Sequence, residues 1–85
     1  MPFFVYMLKS VSHQKTKTYV GYTNDIVKRL SKHNSNKGAK STNGYKWSII
    51  YKKKFINKSD AMKYEYILKN NKKKRKNLLK KYLLK

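Results

Sequence analysis

Glu65 is the residue whose position in this sequence most needs a chemical explanation. If the chain around it is helical, it lies about 40° from Ala61 and about 60° from Met62 and Leu68, inside the apolar stripe rather than on the wet face. A carboxylate there requires a cation. Two partners compete: a neighbouring lysine in an ion pair, or a divalent metal ion. Scarcity favours the metal, because Asp25, Asp60 and Glu65 are the only side-chain carboxylates in 85 residues. Mg²⁺ suits a lone carboxylate, since it keeps several waters and takes further oxygens from substrate phosphate.

Arg29 and His33 form the second constellation. At i and i+4 on one helix they project from the same border, so their tips converge where that helix meets its neighbour. Lysine supplies generic charge throughout this chain, with 21 Lys against Arg29 and Arg75. An arginine kept at position 29 therefore suggests a planar, two-pronged grip on phosphate, against the simpler reading of a solvated surface cation. His33 taken alone is a weaker signal, since many helix histidines are simply solvated. Eight tyrosines form the third set. Tyr6 and Tyr19 fall within two successive strand-like segments, where ordinary sheet packing competes with a role in proton transfer. A phenol beside a cation and a metal-bound phosphate would release its proton more easily and act on a water.

The elements that must position these residues can be read from pattern. Phe3 to Leu8 is a continuous apolar run, as expected for a central strand covered on both faces. Thr18 to Tyr22 alternates, with Thr18, Val20 and Tyr22 on one face, and pairs with the first strand as a hairpin. Thr23, Asn24 and Asp25 offer caps for a first helix ending near His33 or Asn34. Residues 34–46, rich in Gly, Asn and Ser, read as a long exposed loop. Trp47 to Phe55 predicts a third strand in which Trp47, Ile49 and Tyr51 share a face, its lysine-rich end marking an edge. Asn57 and Ser59 are cap candidates for a second helix from about Ser59 to Lys69. A third helix carries Leu78, Leu79, Tyr82 and Leu83 as its apolar stripe. The order β-β-α-β-α-α predicts one α/β (α+β) domain over residues 1–85, a small three-stranded, mostly antiparallel sheet flanked by three helices.

Composition narrows the function. The formal charge is +20, and acidic groups are few even though an A/T-rich codon bias, which would inflate Lys and Asn, does not suppress them. A polyanion is the natural partner, held by contacts that weaken with salt. Lys28 and Lys32 on the first helix, and Lys40 and Lys46 in the loop, are candidates for phosphate contacts. Without cysteine there is neither a disulfide framework nor a thiolate zinc site, and the expected setting is the cytoplasm or another reducing compartment where DNA is accessible. No apolar run is long enough to span a bilayer, so no membrane partner is expected. Gly38 to Thr42 is not a Walker A loop, lacking the Gly-Lys adjacency.

Taken together, Val5-Tyr6, then Tyr19-Val20-Gly21, Arg29 ten residues after Tyr19, His33 four later and Glu65 on a later helix resemble the GIY-YIG nuclease family. The likeness runs along essentially the whole chain. The stretch from Tyr19 to Asn34, with Gly38 to Thr42 and Trp47, is similar to the small single-domain branch and to the nuclease half of structure-specific endonucleases that add a cysteine-rich, RING-like domain. The first triplet reads Phe4-Val5-Tyr6 in place of Gly-Ile-Tyr. The resemblance implies a divalent-metal-dependent DNA endonuclease of low sequence specificity, with a place in DNA repair or recombination. It implies Glu65 as ligand of a single Mg²⁺ or Mn²⁺, Arg29 at the scissile phosphate, Tyr6 or Tyr19 as proton acceptor and His33 as orienting group. Asn77 then answers to the family's late asparagine, with Asn70 as alternative. Branched, nicked or single-stranded DNA is the expected substrate, and a partner protein could supply specificity. A non-catalytic nucleic-acid-binding module is the competing reading; a membrane-surface protein would leave the tyrosines and Glu65 idle.

Overall fold

The computed structural model describes residues 2–11 and 16–84. Three strands, β1 (Phe3–Ser10), β2 (Thr18–Thr23) and β3 (Trp47–Phe55), and three helices, α1 (Ile26–Asn34), α2 (Lys58–Lys69) and α3 (Lys72–Leu83), follow one another in the order β1-β2-α1-β3-α2-α3. The sheet order is β2-β1-β3, and both pairings are antiparallel. The expected α+β order therefore holds, with the apolar β1 at the centre. Residues 12–15 of the connection between β1 and β2 lie outside the described residues.

Each helix starts at a side-chain cap. Asp25, Asn57 and Asn71 accept from the backbone N–H of Lys28, Asp60 and Lys74, satisfying donors that a helix leaves free in its first turn. Asn57 is the cap, so α2 begins one residue earlier than the Ser59 expectation. Asn70 closes α2 and Asn71 opens α3, which explains the break between them.

The central strand feeds two cores. Val5 and Met7, with Val20, pack against Ala61 and Leu68 of α2 and Leu78 and Leu79 of α3. Tyr6 and Leu8 face the other way, with Trp47, Tyr19, Ile49 and Leu30 of α1. Here β3 departs from simple alternation. Leu8 pairs with Ile49 but Met7 with Tyr51, so Ile50 is an extra residue in a bulge. The insertion reverses the parity of the strand: Trp47 and Ile49 serve the α1 face, whereas Tyr51 and Phe55 serve the α2–α3 face. The expectation that Tyr51 shares a face with Trp47 is thus corrected. So is the stripe on α3, whose last turn outruns the surface it packs on and leaves Leu83 exposed.

The long connection is not simply an exposed loop. Asn34 accepts from Trp47 N–H and donates to its carbonyl, and Asn36 accepts from Gly44 N–H, which ties its two ends together. A short 3₁₀ turn, Lys40–Thr42, then folds Thr42 completely into the interior. No helix among the described residues is long and apolar enough to cross a membrane.

Candidate active site

Tyr6 is the meeting point of the site. Its strand turns it toward α1, where its hydroxyl lies 2.9 Å from His33 Nε2 and accepts from Arg29 Nε at 3.4 Å. The i, i+4 pair on α1 does converge, and its target is a phenol on the sheet. Tyr19 lies beside both groups, its ring centroid 4.9 Å from that of His33 and 6.4 Å from that of Tyr6.

The direction of every proton in this chain follows from counting donors. Thr42 Oγ1 donates its single hydrogen to Ala39 C=O at 2.7 Å, so toward His33 Nδ1, 3.0 Å away, it can only accept. His33 therefore carries its proton on Nδ1. Its Nε2 is then a bare acceptor, and Tyr6 must donate to it. The result is a polarised relay in which Arg29 donates to Tyr6, Tyr6 to His33, His33 to Thr42, and Thr42 to the backbone. Fully buried His33 is thus a relay member, not the solvated helix histidine its sequence neighbourhood allows.

Burial sets the ionisation of the trio. Desolvation raises the Tyr6 phenol above 10.0, and the opposing Arg29 hydrogen bond does not cancel it; the nearby Tyr19 and Glu65 add to the rise. The Arg29 guanidinium acts in the opposite direction, but in the protein alone the loss of water outweighs it. Arg29 is held more firmly charged by its hydrogen bond to Tyr6. Desolvation, then the charge of Arg29, lowers His33 below 6.5. A histidine that stays neutral in the fold but titrates normally when unfolded gives a definite pH dependence. The unfolded chain binds the proton first, so stability contributed by neutral His33 is complete above about pH 6.5 and declines as pH falls toward the lowered native value. Denaturant midpoints measured across that window should fall with acid in the parent and respond less in His33→Gln.

Two glycines make room for the relay. A Cβ on Gly21, the cross-strand partner of Tyr6, would lie 2.6 Å from its hydroxyl and 2.8 Å from Cζ. The glycine in Tyr19-Val20-Gly21 is therefore required by space. A Cβ on Gly38 would lie 2.5 Å from His33 Nδ1. Gly21→Ala is expected to displace the Tyr6 ring from His33 and cost about 1–3 kcal/mol, the usual range for overpacking a filled interior. Urea unfolding together with the His33 ring resonances in NMR would measure both effects.

The remaining candidates divide. Glu65, on α2, carries a side chain only 17% exposed and pairs with Lys69 at 3.8 Å, while its charge reaches Tyr6. The lysine partner, one of the two readings of this carboxylate, is present. Among the described residues no three His, Cys, Asp or Glu side chains gather as a metal cage. The donor set fits only a cation that keeps most of its waters, as Mg²⁺ does. Lys28 and Lys32 line a polar cleft of about 230 Å³ with Arg29, beside the relay. Lys40 is exposed on the 3₁₀ turn, and Lys46 donates to Asn34 C=O. Asn77 is not drawn in: it lines a depression on α3 with Leu78, Lys81 and Leu84, shared with none of the relay residues. Asn70 donates to Tyr66 C=O at the end of α2. The sequence gives little warning of Thr42 and Gly38, beyond the need of a buried imidazole for a second partner and for space.

Comparison with known proteins matches this arrangement to a described family. Residues 2–80 match the GIY-YIG catalytic domain. A UPF0213 protein of Oceanobacillus iheyensis is 45% identical over 67 residues, covering 78% of this chain and 74% of that protein. A UPF0213 protein of Bacillus pumilus is 46% identical over 61 residues, 71% of this chain and 62% of its own length. The NMR structure of a UPF0213 protein from Bacillus halodurans is 33% identical and superposes with a TM-score of 0.53, covering 94% of this chain and 84% of that one. Two tyrosine motifs on paired strands, a helix carrying Arg29 and His33, and Glu65 on a later helix are thus found in a chain that belongs to the GIY-YIG family, a family of nucleases, and within it to the UPF0213 group.

Proposed function

We propose that this protein is a divalent-metal-dependent DNA endonuclease. The observation that carries the reading is the convergence on Tyr6, where Arg29 and His33 from α1 meet a strand phenol within range of the charge of Glu65. Glu65 would hold the ion, which when bound supplies Lewis-acid charge to a phosphate oxygen. Arg29, which lines the cleft with Lys28, Lys32 and the capping carboxylate Asp25, holds the charge that builds on the scissile phosphate. Tyr6 is almost wholly buried and its proton is committed to His33, which makes it the group that orients Arg29. Half-buried Tyr19, next to both, is the phenol that water can reach; once it has given its own proton to solvent, its phenolate oxygen takes the proton of the attacking water. Lys28, Lys32 and Lys40 grip backbone phosphates without reading bases, so cleavage follows DNA shape, such as nicks, flaps or single-stranded stretches.

Incubation of the purified protein with supercoiled plasmid and with branched DNA, in Mg²⁺, Mn²⁺ or EDTA, tests this. Metal-dependent strand scission without a recurring sequence at the cuts supports it. DNA binding with no scission in either metal would instead favour the binding module.

A further inference from the structure

A second cationic cavity opens on the other side of Tyr19. Thr18, Tyr19, Ser41, Lys69 and Arg75 line about 260 Å³ there, smaller than the roughly 300–1,000 Å³ of typical organic-ligand sites and suited to one phosphate and its sugar. Lys17 donates to Ser41 C=O beside it. Arg75, from the first turn of α3, also lines the adjoining hollow with Lys72 and Lys76.

Arg75 is the anomaly. Its Nε is buried and has no hydrogen-bond partner among the described residues. A shielded guanidinium donor needs an acceptor, preferably an anion. The chain has three side-chain carboxylates, and each is otherwise engaged: Asp25 and Asp60 at helix starts, Glu65 with Lys69. Among the described residues no side-chain carboxylate is left to serve Arg75, which leaves its guanidinium open to an anion from outside. Lysine would supply the same charge with less desolvation, so an arginine in this lysine-dominated chain again points to a flat, forked acceptor.

We propose that Arg75 and Lys69 form a second phosphate clamp, which holds the DNA phosphate next to the scissile one on the strand being cut. The placement follows from shared residues: Tyr19 belongs both to this cavity and to the relay cluster, and Lys69 belongs both to the cavity and to the Glu65 ion pair. The location relative to the scissile phosphate rests on the nuclease reading; the clamp itself does not.

Binding of a fluorescently labelled short duplex, followed by anisotropy in EDTA over a range of salt, tests the clamp without any need for cleavage. Arg75→Met keeps the apolar stem and removes the charge. It is expected to weaken binding about tenfold, the scale of one charge-assisted hydrogen bond, and to reduce the log–log salt slope by about 0.9, one phosphate contact. Arg75→Lys should restore the slope and part of the affinity. Unchanged affinity and slope in Arg75→Met would overturn the proposal. So would equal losses in both variants accompanied by a lowered melting temperature, because Arg75 would then act through packing. Plasmid cleavage by the parent protein, run in parallel, separates the two ideas: Arg75-dependent binding without scission keeps the clamp and removes the nuclease.

Discussion

Arg29→Ala is expected to slow DNA cleavage by a factor of about 10² to 10³ while weakening DNA binding by about tenfold at most, the scale of one charge-assisted hydrogen bond. The rate effect is that of removing one preorganised donor from a developing negative charge. Affinity survives because Arg29 is one of 23 Lys and Arg residues, and Lys28 and Lys32 remain in the same cleft. A single lost phosphate contact changes the salt slope by about 0.9 at most. Folding should survive too, since Tyr6 keeps its bond to His33. Arg29→Lys should recover only part of the rate, because an ammonium cannot hold Tyr6 and grip a phosphate through one planar group. Single-turnover rates beside equilibrium binding give both numbers. If rate and affinity fell together by the same factor, Arg29 would be a binding residue and the non-catalytic reading would gain.

Much of this site was legible before the fold, for local reasons. A helix places residues four apart on one border, so the convergence of Arg29 and His33 needed only the helix, and Asp25 announced its start. Glu65 stood out because carboxylates are rare here and its neighbours are apolar. What was not legible depends on partners distant in sequence. His33 looks like any helix histidine until Thr42, nine residues on, supplies its second hydrogen bond. The ionisation of Tyr6 is decided by burial between β1, β2 and α1, which no local pattern reports, and the Arg29 beside it suggested the opposite direction. The bulge at Ile50 leaves the local alternation of β3 intact and shows only in its register against β1. Arg75 reads as one cation among many on α3 until Tyr19 and Ser41 are brought against it.

The second large effect concerns Glu65. Glu65→Gln keeps the shape of the side chain and its capacity to accept a hydrogen bond but removes the charge that would hold Mg²⁺ or Mn²⁺. Its pairing with Lys69 is long, at 3.8 Å, and Lys69 is largely exposed, so losing it should cost less than about 1 kcal/mol of stability. A folded protein with intact DNA binding is therefore expected. Cleavage should nonetheless drop by at least about 10³-fold, because a metal ion's stabilisation of charge is worth several kcal/mol. Mn²⁺ binding, followed by electron paramagnetic resonance, should weaken in the same variant.

The most direct measurement is a plasmid-relaxation time course with the parent protein and Glu65→Gln side by side, each in Mg²⁺, in Mn²⁺ and in EDTA, at matched ionic strength. Scission by the parent in either metal, none in EDTA and none by Glu65→Gln in any condition is the expected result. Scission that persists in EDTA, or that Glu65→Gln performs at the parent's rate, would contradict it.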